Sequence, residues 1–221
     1  MATYYRGWHA RHYDRLWHSY TARTLDAVLA MIDFALLRRV AEEQGRVPRI
    51  LDAACGTGIL LKLLSERIAL FEGYGVDASV DMLRQAEQRL RDNPHVSLQQ
   101  AVLGAGEAAN LPFSPGMFDL IVCANALHYF REPEKTLAGL GHLLAQDGQL
   151  VVEDFARRGA PFPWSLFERL MKRIDPGYVR AFTLTEARGL CARTELEVVQ
   201  ERVVKVDWLW RAWVMRLQKK I

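Results

Sequence analysis

Two glycines one residue apart, set between an apolar run that ends on an acid and a second apolar run of helical spacing, constrain this chain more than any other feature. Residues 50–61 read Ile-Leu-Asp-Ala-Ala-Cys-Gly-Thr-Gly-Ile-Leu-Leu. That order is a strand, a tight turn and a helix. Gly56 and Gly58 remove Cβ atoms where a bound molecule must lie against backbone, and they free φ for the reversal. A helix beginning near Thr57 aims its unpaired N–H groups at the same place, so the turn is expected to be a ligand site.

What is missing narrows the ligand. A dinucleotide fingerprint needs a third glycine about three residues after Gly58, where this chain has Leu61, and no stretch fits G-x-x-x-x-G-K-[ST]. The next acid at a strand end is Asp77, nineteen residues past Gly58, where a second parallel strand can offer a carboxylate to ribose hydroxyls. A ribose is expected there; a pyrophosphate is not.

A chain of 221 residues, half of them hydrophobic, can bury one sizeable core. The 29 basic residues include 23 arginines, yet net charge is only +3, which gives no strong field for nucleic acid. No apolar run approaches the ~18 residues of a membrane span, and the N-terminus lacks a signal pattern, so a cytoplasmic protein is expected. Cys55, Cys123 and Cys191 are far apart and make no metal-ligand spacing; reduced buried thiols and no bound metal follow.

Residues 1–20 hold nine aromatic or imidazole side chains, among them His9, His12, Tyr13 and Trp17. They suit either an amphipathic helix packed by its aromatic stripe or a cover over the ligand. Apolar residues from 21 to 43 recur at helical spacing, predicting one long helix that ends near Gln44-Gly45. Strands are predicted at 72–76, 96–101, 118–123 and 149–154, the last after a turn at 146–148, with a helix capped by Ser79 and another opened by Pro133. The composition then changes. A loop at 157–164 leads to a helix at 165–174, whose Trp164, Phe167 and Met171, with Tyr178 and Phe182, either line an apolar pocket or pack the segment down. Arg157, Arg158, Lys172 and Arg173 face an anionic group or solvent. A helix at 185–192, capped by Thr183 or Thr185, precedes β-rich runs at 196–206 and 208–215. Trp208, Trp210 and Trp213 are read as core and edge cover, and residues 217–221 are expected to fray.

Asp52-Ala53-Ala54-Cys55-Gly56-Thr57-Gly58 resembles the first motif of the class I S-adenosylmethionine (SAM) dependent methyltransferases, most nearly the small-molecule branch that includes the ubiquinone/menaquinone biosynthesis methyltransferases. Gly106-Glu107-Ala108-Ala109-Asn110-Leu111-Pro112-Phe113 is similar to a second motif of that family, with Glu where Asp is usual. The resemblance implies an α/β fold, a Rossmann-like seven-stranded doubly wound sheet with a C-terminal antiparallel hairpin and helices on both faces. One domain spans 1–221: an N-terminal helical lid at 1–44, a SAM-binding core at 45–156, a substrate-cover insertion at 157–184, and a final helix and hairpin at 185–221. It implies SAM contacts from Tyr13, Asp52, Ala53, Gly56, Gly58, Asp77, Ala78, Met82, Glu107, Ala108 and Asn125. Substrate would meet His9, His12, Trp164, Phe167 and Met171.

The loop after the fourth strand, Ala124-Asn125-Ala126-Leu127-His128-Tyr129-Phe130, lacks the Asn/Asp-Pro-Pro-aromatic sequence of nucleic-acid amine methyltransferases and the Pro-Cys of cytosine-carbon enzymes. His128 is the candidate catalytic base, since an imidazole with pKa ~6.5 can deprotonate a phenol, hydroxyl or amine at neutral pH; a His satisfied by backbone and packing is the alternative. Methyl transfer to a small, apolar or aromatic acceptor is the expected reaction, driven mainly by holding donor and nucleophile in line. A SAM-binding protein that transfers no methyl group, and an RNA or protein methyltransferase, are the competing readings. Asp77→Ala is expected to cut SAM affinity more than tenfold with little loss of stability.

Overall fold

Short apolar runs buried on both faces form the central strands of the computed structural model, which describes residues 7–157 and 163–220. β1 (Arg49–Ala53), β2 (Glu72–Asp77), β3 (Val96–Gln100), β4 (Phe118–Ala124) and β5 (Leu144–Phe155) are parallel. β6 (Leu196–Lys205) and β7 (Arg211–Lys219) form an antiparallel hairpin, and β7 also pairs antiparallel with β5. The sheet order is β3-β2-β1-β4-β5-β7-β6, a seven-stranded sheet with a C-terminal antiparallel hairpin, as the resemblance implies. Strand order reverses between β1 and β4, and a crevice opens beyond their carboxyl ends.

Alternation along the strands assigns the two helical layers. Ile50, Leu120, Val122 and Val151 share a core with α1 (Trp8–Leu29), α2 (Phe34–Gln44), α3 (Ile59–Ser65) and α4 (Val80–Leu90). Leu51, Ile121, Cys123 and Val152 share the other with α5 (Pro133–Leu143) and α7 (Leu184–Ala192). α6 (Trp164–Ile174) belongs to neither layer and contributes no fully buried residue.

Several expectations need correction. The long helix predicted over 21–43 is two helices. Asp33 interrupts it in an extended conformation and caps α2 by accepting from the N–H groups of Ala35 and Leu36. The break is held from far away: the fully buried Gln149 of β5 accepts from Asp33 N–H at 2.8 Å and donates to its carbonyl at 2.9 Å. β5 already begins at Leu144, which pairs with Phe118, while Gln149 pairs with Leu120, so the turn expected at 146–148 is a bulge within the strand. Thr183, not Thr185, caps α7, in a reciprocal capping box with Glu186. Residues 217–219 do not fray: β7 runs to Lys219, and Leu217 is fully buried between Leu150 and Val198.

Candidate functional site

The two loop glycines have different duties. Gly58 is the N-cap of α3 at φ +75°, and a Cβ there would come within 2.9 Å of Leu90 Cδ1 and 3.0 Å of Ala86 Cβ. It lets α4 pack onto the loop and does not line the cleft. At Gly56, where φ is +53°, a Cβ would meet nothing closer than Met82 Cε at 3.6 Å, and this residue lines the cleft. The cleft is open to solvent and spans about 740 Å³, solvent space included, beyond the ends of β1, β2 and β4. Of the residues expected to meet SAM, Tyr13, Asp52, Gly56, Asp77, Ala78, Met82 and Asn125 line it. Ala53 is fully buried in β1, and Ala108 is fully buried in the core; neither lines the cleft. Glu107 lies in a 3₁₀ turn, Glu107–Asn110, and its side chain is outside the described set.

Asp77 organises the loop. Its carboxylate accepts from Gly56 N–H at 2.9 Å and Ser79 N–H at 2.8 Å, and burial raises its pKa against the pull of these bonds. Asp52 beside it is pushed up to about 8 by burial first and the Asp77 charge second. Two non-glycine residues, Ala54 at φ +72° and Asn125 at φ +53°, are left-handed at the ends of β1 and β4, where both line the cleft. Such strain concentrates at functional sites.

α1 crosses the cleft. Thr57 Oγ1 donates to Asp14 at 2.8 Å, Arg89 pairs with Asp14, and Gln85 Nε2 donates to the Ala10 carbonyl at 2.8 Å. Its Tyr13, Trp17 and Tyr20 lie at i, i+4 and i+7 on one face, the spacing that could have announced their joint role. All three line a second cavity of about 560 Å³, together with His128, Phe155, Met171, Asp175 and Trp210. Tyr13, Asn125 and Tyr129 line both cavities and mark their junction. The lining contains no lysine or arginine among the described residues.

His128 is held rather than free. Asp154 accepts its main-chain N–H at 2.7 Å and lies 2.7 and 2.9 Å from ring Nδ1. The ring stands 4.0 Å from Tyr129 and 4.7 Å from Phe155, centroid to centroid. Tyr129 in turn donates its hydroxyl to Asp175 at 2.5 Å. The neighbouring Glu153 is fully buried, and burial followed by the Asp154 charge drives its pKa well up. Glu153 Oε1 and Asn125 Oδ1 have no hydrogen-bond partner among the described residues, which leaves two buried polar atoms unsatisfied, that of Asn125 at the junction.

The aromatic residues sort differently from expectation. Met171 lines the second cavity, whereas Trp164 and Phe167 pack on each other at 4.9 Å, and Phe167 packs on Trp210 at 5.4 Å. Trp208 and Trp210 are not in a strand: the chain turns at 206–210, with Asp207 accepting from the N–H groups of Leu209 and Trp210. Of the three tryptophans only Trp213 is core, with its Nε1 donating to the Phe182 carbonyl at 3.1 Å. His12 is half-buried and lines neither cavity; the side chain of His9 and residue Arg158 are outside the described set. Arg157 pairs with Glu186 at 2.7 Å. Trp17, Tyr20, Phe155 and Trp210 line the second cavity, although the sequence reading assigned none of them a place among the site residues.

Residues 50–148 match the model of the methyltransferase domain family. An uncharacterised methyltransferase of Bacillus subtilis is 26% identical over 186 residues, 83% of this chain and 70% of the relative. Its crystal structure superposes with a TM-score of 0.63 at 19% identity, covering 79% of this chain and 93% of that one. A demethylmenaquinone methyltransferase of Thermus thermophilus is 38% identical over 107 residues, but the match spans only 48% of this chain and 47% of that enzyme. The magnesium protoporphyrin IX methyltransferase of Synechocystis, solved with S-adenosylhomocysteine, gives a TM-score of 0.63 at 17% identity over 93% of this chain and 85% of its own.

Proposed function

We propose that the chain is a SAM-dependent methyltransferase that transfers the methyl group to a small, uncharged, apolar or aromatic acceptor with a protic nucleophile. The observation that carries this reading is the junction: Tyr13, Asn125 and Tyr129 belong to both cavities, and His128 stands in the second. When bound, SAM supplies an activated methyl on a sulfonium.

The residues present suit that cofactor. Asp77 retains acceptor capacity toward ribose hydroxyls, Gly56 leaves backbone open to the methionine end, and Met82 offers an apolar face to the base. Asn125 Oδ1, on the wall of both cavities, is an unfilled acceptor suited to the ammonium or the sulfonium side. The aromatic second cavity, without lysine or arginine among its described lining, disfavours a carboxylate or phosphate and favours an apolar ring.

His128 acts on the acceptor. A carboxylate can only accept, so Asp154 fixes the ring proton on Nδ1 and leaves the lone pair on Nε2. Nε2 would take the proton of the acceptor's nucleophile, and Asp154 would stabilise the resulting imidazolium. α1 serves as the cover, and Met171, Ile174 and Asp175 wall the acceptor side. The test is incubation with labelled SAM and a panel of phenols, aryl amines and extracted metabolites. Production of S-adenosylhomocysteine with a ring-bearing acceptor is expected; tight SAM binding without it for any acceptor would favour a non-methylating role.

A further inference from the structure

α6 has more apolar surface than the domain covers. Trp164, Phe167 and Met171 turn inward, where Phe167 meets Trp210 and Met171 lines the second cavity. Leu166, Leu170 and Ile174 recur at every fourth position beside them and are 63%, 53% and 52% exposed. At about 100° per residue they form one stripe adjoining the packed face. Arg169 and Arg173 fall along its other border with Lys172 beyond; all three are exposed, and none is in an ion pair among the described residues. Ile174 is at once part of the exposed stripe and part of the cavity wall, so the apolar surface runs unbroken into the site. Leu16 on α1 and Trp208 in the β6–β7 turn are also exposed. A contiguous exposed apolar stripe edged by unpaired cations marks an interaction surface and has the composition of a helix lying in a membrane interface. No described helix is long and apolar enough to cross a membrane.

We propose that α6 docks the protein on bilayers rich in anionic phospholipid, with Leu166, Leu170 and Ile174 among the acyl chains and Arg169, Lys172 and Arg173 at the headgroups. Docking places the mouth of the second cavity at the bilayer surface, and a lipid-dissolved acceptor enters past Ile174. The docking itself is independent of methyl transfer; only the delivery role rests on the second cavity's being the acceptor site. An anionic bilayer suits the surface better than an apolar protein groove does, because three neighbouring cations would otherwise be desolvated without a counter-charge.

The test is flotation of the full chain with vesicles of phosphatidylcholine alone and of equimolar phosphatidylcholine and phosphatidylglycerol. Flotation is expected with the mixed vesicles, falling as salt rises. Leu166→Gln with Leu170→Gln should lower partitioning about tenfold or more, and Lys172→Glu with Arg173→Glu should abolish the preference for anionic lipid. All four side chains are exposed, and an unchanged SAM affinity in each variant verifies the fold. Absence of flotation at low salt, flotation that survives the leucine substitutions, or a wild-type dimer in sedimentation that the same substitutions dissolve would overturn the proposal.

Discussion

The carboxylate of Asp154 holds His128 twice, accepting the main-chain N–H at 2.7 Å and facing ring Nδ1 at 2.7 Å. Backbone and ring are thus fixed by one side chain that is 1% exposed. If this pair serves a base, His128→Ala should lower turnover of a protic acceptor about 10²- to 10⁴-fold while SAM affinity stays within about twofold. Asp154→Asn should also slow turnover, because an amide can present a donor to Nδ1 and favour the opposite tautomer. Parallel assays of S-adenosylhomocysteine formation and calorimetric SAM titration read this directly. Undiminished turnover in His128→Ala would leave the pair a structural one.

Asp77 is expected to matter for two reasons, of which the sequence disclosed only one. A carboxylate at the end of the second strand predicts loss of ribose contact, hence SAM affinity more than tenfold weaker in Asp77→Ala. The bonds from Gly56 and Ser79 add a cost to the loop itself: two N–H groups lose their acceptor, about 1–3 kcal/mol of stability. The expectation of little loss is corrected accordingly. Chemical denaturation without ligand, alongside titration, separates the two effects.

Gly58 and Gly56 should fail differently when given a methyl group. At Gly58 a Cβ meets Leu90 and Ala86 at 2.9 and 3.0 Å with φ at +75°, so Gly58→Ala should destabilise the fold by about 1–3 kcal/mol. At Gly56 the backbone strain of φ +53° remains, roughly 1 kcal/mol, but no neighbour is struck and the methyl group enters the cleft. Gly56→Ala should therefore weaken SAM binding more than it lowers the melting temperature. Equal melting losses in the two variants would contradict this division.

These contrasts show what local pattern can and cannot carry. The parallel strands and the glycine loop were legible because short apolar runs and the punctuation by Gly56 and Gly58 are written within a dozen residues. The break at Asp33 was not, since its cause is Gln149, 116 positions later. His128 was visible as a residue type, but its partner Asp154 lies 26 positions on in a different strand, and either reading of the histidine fitted the sequence alone. Trp210 was missed because alternation extended a strand through 208–215, while Asp207 folds those first residues into a turn and brings the indole to the cavity. The signal was present in Asp207, read as the end of a short turn at 205–207, whose side chain can carry that turn on through the next residues.

Asp52 gives the site a pH dependence with a defined sign. Its folded pKa of about 8 exceeds the ordinary carboxylate value of ~4 that it has when unfolded. Below pH ~4 both states are protonated and its contribution is fully present. Between ~4 and 8 the unfolded state releases the proton that the folded state keeps, so stability from this group falls as pH rises, and it levels off above 8. A cation in the cleft reverses the preference, because it favours the carboxylate over the acid. SAM carries positive sulfonium and ammonium groups, so its binding should tighten as pH approaches ~8 and should expel a proton at pH ~7. Titrations in two buffers of different ionisation enthalpy measure that proton. Asp52→Asn should abolish the release and flatten the melting temperature between about pH 5 and 8 relative to the parent. A binding heat independent of buffer in the parent protein would mean that Asp52 does not change charge on binding SAM.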